Sequence, residues 1–159
     1  MSRSTKRIIV GVDGSDASID ALRWALLQAD VTGCSLEAVT SWQYPNDYGA
    51  QWVAEDVDWD VMAKTTLEAS LAKVDLGGVE VTRTITQGHP AEVLTNASTN
   101  ADLVVVGSRG HGGFVGMLLG SVSVHVCAHA HCPVLVVRHQ PSARSHIVDR
   151  ASSDPYGTD

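Results

Sequence analysis

Residues 8–18 read IIVGVDGSDAS, and the change of character at Asp13 decides the fold. Ile8 to Val12 is an unbroken apolar run, the pattern of a strand buried on both faces. Asp13-Gly14-Ser15 then breaks it with turn residues. Ser15 or Asp16 can cap a following helix, because a short side-chain oxygen accepts from the free N–H groups of a first turn. Ala17 to Asp30 supplies that helix, with Ile19, Leu22, Trp24, Ala25, Leu26 and Ala29 expected on its apolar face. Strand, turn and helix in this order form half of a parallel crossover unit.

The unit recurs along the chain. Ser35 to Trp42 (SLEAVTSW) reads as a second strand, followed by a loop over Gln43 to Val53. Val57 to Val74 has helical period, with Val61, Leu67, Leu71 and Val74 as its expected stripe and Gly77 as a left-handed C-terminal cap. The acidic run Glu55 to Asp60 suits the start of that helix. Val79 to Thr86 is a β-branched third strand, and Pro90 sits in the first turn of a third helix. Asp102 to Gly107 and Cys132 to Arg138 are the fourth and fifth strands, with a helix over Val122 to Ala130 between them. Alternating strands and helices predict an open α/β fold with a five-stranded parallel sheet and helices on both faces.

Composition bounds the function. The chain has 159 residues, enough for one domain. Residues 1–140 are expected to form it and 141–159, which lose hydrophobic periodicity, a flexible tail. Eleven Lys and Arg against 18 Asp and Glu leave a net charge of −7, which argues against a nucleic-acid or anionic-membrane partner. No apolar run reaches the length of a membrane span or a signal core, so a cytoplasmic location is expected. Cys34, Cys127 and Cys132 are too few and too scattered for a disulfide framework and are expected to be buried thiols.

Chemistry concentrates after the first and fourth strands. Ligands of open parallel sheets sit beyond the carboxyl ends of strands, where Asp13-Gly14-Ser15 and Gly107 to Ser123 both fall. Glycines let backbone N–H groups approach a ligand, and Gly120-Ser121 opens a helix whose positive dipole end favours phosphate. Such a site binds an anion with dipoles, without lysines.

The spacing G-x2-G-x9-G-S at Gly107, Gly110, Gly120 and Ser121 resembles the nucleotide-binding signature of the universal stress protein family, in its ATP-binding branch. The likeness extends to IIVGVDGSDAS, HPAEVL and CPVLVVR and covers about residues 6–139. It implies strand order 3-2-1-4-5 and a homodimer through the fifth strand, Val134 to Val137. It also implies an ATP site with Mg²⁺ or Mn²⁺, built from Asp13, Gly14, Ser15, Val39, Gly107, Ser108, Arg109, Gly110, Gly120, Ser121, Val122 and Ser123. Asp13 would order the ribose or, through the cation, a phosphate; Val39 would clamp adenine with its backbone.

Other constellations read as structure. His125 and His129 share a helix face and invite a zinc reading, but closed sites need four convergent ligands, so packing histidines are expected. Ser15 and His111 lack the strand-to-helix elbow of a serine nucleophile. Trp42, Trp52 and Trp59 read as core or dimer packing. The resemblance implies a nucleotide-dependent stress-response or signalling module with an unknown regulatory partner. An AMP or cyclic-AMP sensor and a slow ATPase or transferase are the alternatives, and the missing G-x4-G-K lysine favours binding over catalysis.

Overall fold

A computed structural model describes residues 6–45, 57–111, 116 and 118–140. Its elements are β1 (Arg7–Gly11), α1 (Asp16–Thr32), β2 (Ser35–Trp42), α2 (Trp59–Leu71), β3 (Val81–Gln87), α3 (Pro90–Ser98), β4 (Leu103–Gly107), α4 (Ser121–His129) and β5 (Val134–Val137). The five strands form one parallel sheet in the order β3-β2-β1-β4-β5. The order reverses at β1 and β4, so the loops that follow these two strands lie side by side.

Strand alternation sorts the core into two layers. Ile8 and Val10 of β1, Leu36 and Ala38 of β2 and Val105 of β4 pack against α1 and α2. Ile9, Val39, Val104 and Val106 point the other way, toward Leu94 of α3 and Val126 of α4. Both faces of the sheet are therefore covered, which is why these strands read as continuous apolar runs.

Ser15 is the N-cap of α1, its side chain accepting from the Ser18 N–H, and Gly33 closes the helix in the left-handed conformation at φ 68°. Trp24 departs from its expected place and is 49% exposed; two residues from Leu22, it turns to the opposite side of the helix. Val61 of α2 is exposed as well, and Ala63, Leu67, Ser70 and Leu71 make the buried stripe. Helix α2 ends at a right-handed Ala72 cap, not at Gly77. Gly77 is left-handed in a separate turn, where the Asp75 carboxylate accepts its N–H at 2.9 Å.

Cys127 is exposed, contrary to the expected buried thiol, whereas Cys34 and Cys132 are partly buried. Burial pushes the Cys132 thiol pKa up, with the Asp102 charge adding to it against a bond from the Val104 backbone. The expected loop over Gln43 to Val53 is described only to Pro45; the rest of it, Trp52 and the expected tail 141–159 lie outside the described residues. No helix among the described residues is long and apolar enough to cross a membrane.

Candidate functional site

The ends of β1, β2 and β4 meet in a cleft of about 530 Å³. The residues after β1 form its floor through a short hydrogen-bonded knot. Asp13 Oδ1 accepts from the Ser15 N–H at 2.9 Å and from the Ser15 hydroxyl at 2.5 Å. Its other oxygen, Oδ2, accepts from the His111 N–H at 3.3 Å. One carboxylate thus ties the β1 turn to the loop after β4, across 98 residues of sequence. Burial acts to raise the Asp13 pKa, but the bonds from Ser15 and Ser18 and the nearby His111 outweigh it and hold the carboxyl below its usual range. Asp13 stays ionised at neutral pH, and Oδ2 accepts only the His111 N–H among the described residues.

The glycines differ in what requires them. A Cβ on Gly107 would lie 2.7 Å from the carbonyl carbon of Ala17, so this glycine lets β4 approach the start of α1. A Cβ on Gly110 would collide with Asp13 Oδ2. At Gly120 the nearest atom to such a Cβ, Arg109 Cα, is an ordinary 3.5 Å away. Among the described residues, packing thus leaves room for a Cβ at Gly120, which lines the cleft.

Helix α4 begins at Gly120 with no side-chain cap among the described residues, whereas Ser15 and His89 cap α1 and α3. Its first N–H groups and dipole face the cleft, the arrangement that attracts anions. Arg109, exposed, adds a cation on the same wall. No lysine lines the cleft among the described residues.

Most of the expected site residues come together here: Asp13, Ser15, Val39, Gly107, Arg109, Gly110, Gly120, Ser121, Val122 and Ser123 all line the cleft. Gly14 and Ser108 stand behind it. Gly14 holds the turn at φ 83°, and Ser108 passes its N–H to Val137 O and its carbonyl to the Gly120 N–H. The Ser123 hydroxyl is spent on the carbonyls of Gly107, at 2.7 Å, and Ser108; it anchors α4 and has no proton left for a ligand. The Val39 carbonyl accepts from the Val12 N–H at 2.9 Å, which leaves one lone pair at most.

The opposite end of the cleft, beyond Val39, is lined by residues that were not among the expected site residues. Ser41, Gly88, Pro90, Val93 and Leu94 line it, and the Gly88 N–H donates to Trp42 O at 2.8 Å, joining the ends of β2 and β3. Trp42 also belongs to this rim and meets Tyr44 edge-on at 5.5 Å, outside both core clusters. Trp59 opens α2, half-buried. On α4, the rings of His125 and His129 stack at 4.3 Å and His129 Nδ1 meets the His125 carbonyl. No cluster of three His, Cys, Asp or Glu residues suited to a metal occurs among the described residues.

The model described as the universal stress protein family matches residues 4–138. The chain belongs to the universal stress protein family. It is 38% identical over 136 residues to universal stress protein Rv2623 of Mycobacterium tuberculosis, covering 82% of this chain and 44% of that protein. The chain thus spans less than half the length of this curated relative. Among solved structures, a universal stress protein in complex with cAMP is 27% identical, with a TM-score of 0.57 and coverage of 86% of this chain and 98% of that one. A universal stress protein family protein from Arabidopsis thaliana, with AMP bound, shares the fold at 23% identity and a TM-score of 0.56, over 91% and 97% of the two chains.

Proposed function

We propose that the chain is an ATP-binding module of stress response or signalling, whose occupancy is read by a protein partner. The observation that carries this reading is the open N-terminus of α4 at Gly120, facing the same cleft as Arg109 and Asp13. Phosphates lie against the helix end and Arg109, where dipoles supply the positive potential that a chain of net charge −7 lacks overall. Asp13 accepts a ribose hydroxyl through Oδ2 or meets the Mg²⁺ or Mn²⁺ carried by the triphosphate. A bare carboxylate against phosphate would repel it.

The absence of a cleft lysine favours occupancy over turnover, since phosphoryl transfer depends on neutralising the transferred group. A dimer through β5, the outer strand beside β4, completes the proposal, with a cytoplasmic location. The relative solved with cAMP supports a second reading, in which AMP or cyclic AMP is the ligand of the same cleft. Calorimetric titration of nucleotide-stripped protein with ATP, ADP, AMP and cyclic AMP, with and without Mg²⁺, separates the two. ATP tightest, with no ADP formed, is the expected result. Tighter AMP or cyclic AMP establishes the second reading, and sustained ADP production establishes an enzyme.

A further inference from the structure

Helix α4 has no acidic side chain: Ser121 to His129 reads SVSVHVCAH, with His129 in the last turn. Residues four apart share a helix face, and here they are His125, half-buried, and His129, exposed. Their rings stack at 4.3 Å and 26°, against each other, while the core contacts of the helix come from Val122 and Val126. No carboxylate pairs with either ring among the described residues.

One hydrogen bond fixes which nitrogen of His129 is available. Its Nδ1 lies 3.0 Å from the His125 carbonyl oxygen. A carbonyl only accepts, so Nδ1 carries the proton and Nε2 of the neutral ring holds the lone pair. Outer partners of metal-bound histidines set the tautomer in this way. The His125 ring has no hydrogen-bond partner among the described residues, so its neutral form also offers a lone pair. Metal–nitrogen bonds of about 2.0–2.1 Å at a tetrahedral angle need nitrogens about 3.3 Å apart, so the stacked rings have only to lean together at one edge. The C-terminal end of a helix is the negative end of its dipole and favours a cation.

We propose that His125 and His129 chelate one divalent transition ion of the Zn²⁺ class on α4, with water in the remaining positions. No third His, Cys, Asp or Glu completes a cluster among the described residues, so the site is open and reversible, unlike a closed structural one. Imidazole selects such ions over Mg²⁺ and Ca²⁺, which prefer oxygen. Neither histidine lines the cleft, and the inference stands independently of the nucleotide reading.

The test is calorimetric titration of the reduced, nucleotide-stripped chain with Zn²⁺, in wild type, His125→Gln, His129→Gln and Cys127→Ser. Wild type and Cys127→Ser are expected to bind Zn²⁺ alike, without competition from excess Mg²⁺. Each glutamine variant, with the circular dichroism of wild type, is expected to lose at least about tenfold in affinity, the least that disturbing a histidine ligand costs. Zn²⁺ should raise the Tm of wild type, because it binds the folded state, and leave that of the glutamine variants unchanged. Affinity that survives the loss of either ring overturns the proposal. A wild type that binds no Zn²⁺, or whose Zn²⁺ is displaced by Mg²⁺, does so as well. An equal loss in Cys127→Ser overturns the two-histidine chelate.

Discussion

Asp13 shows how one residue serves stability and binding together. Its carboxylate gathers Ser15 and His111 into one knot, and the bonds that achieve this lower its pKa. A lowered folded-state pKa contributes stability that is present above the unfolded value, near 3.9, and is lost as pH falls through the folded value. Thermal melts of wild type and Asp13→Asn between pH 7 and pH 2 should therefore differ most at neutral pH and converge below about pH 4. The glycines give a second contrast at this scale. Gly107→Ala presses a methyl group against the Ala17 backbone and should cost about 1–3 kcal/mol in denaturant unfolding. Gly120→Ala meets only ordinary contacts, so its unfolding free energy should stay within about 0.5 kcal/mol of wild type.

Among the elements, α1 and α4 begin in opposite ways. Ser15 closes the first turn of α1, and Ser15→Ala should lower stability by about 1 kcal/mol, measured by urea unfolding. Helix α4 has no side-chain cap among the described residues, so a bound anion should raise the Tm of the whole domain. Strand and helix identities were legible because apolar runs and turn residues carry them locally, from Ile8 onward. Trp24 and Val61 are apolar yet project outward, because their angle on the helix sets them off the buried stripe, which hydrophobicity alone does not show. Gly77 was a sound left-handed glycine in the wrong role, because Asp75 forms its own turn first. The glycine loop was legible through spacing. The apolar end of the cleft was not, since Ser41, Gly88, Pro90 and Val93 converge only when β2, β3 and α3 pack together.

At the scale of the molecule, the sheet order brings two loops nearly a hundred residues apart into one site and leaves β5 as an outer strand. An apolar outer strand is a template for pairing unless something covers it. If a second copy does so, Val134→Lys, which places charge at the start of β5, should convert a dimer to a monomer in sedimentation equilibrium while the domain stays folded. A wild-type chain that sediments as a monomer would remove the fifth-strand pairing from the account. Since the cleft lies at the strand ends, away from this edge, nucleotide affinity should be unchanged in the variant.

The central claim is that the glycine-opened end of α4 holds phosphate, and titration of Gly120→Val with ATP tests it most directly. The valine puts a branched side chain where backbone must meet ligand, and its Cβ meets only ordinary contacts among the described residues. The account predicts at least a tenfold loss of ATP affinity with the circular dichroism and Tm of a folded domain. Wild-type affinity in that variant would contradict it.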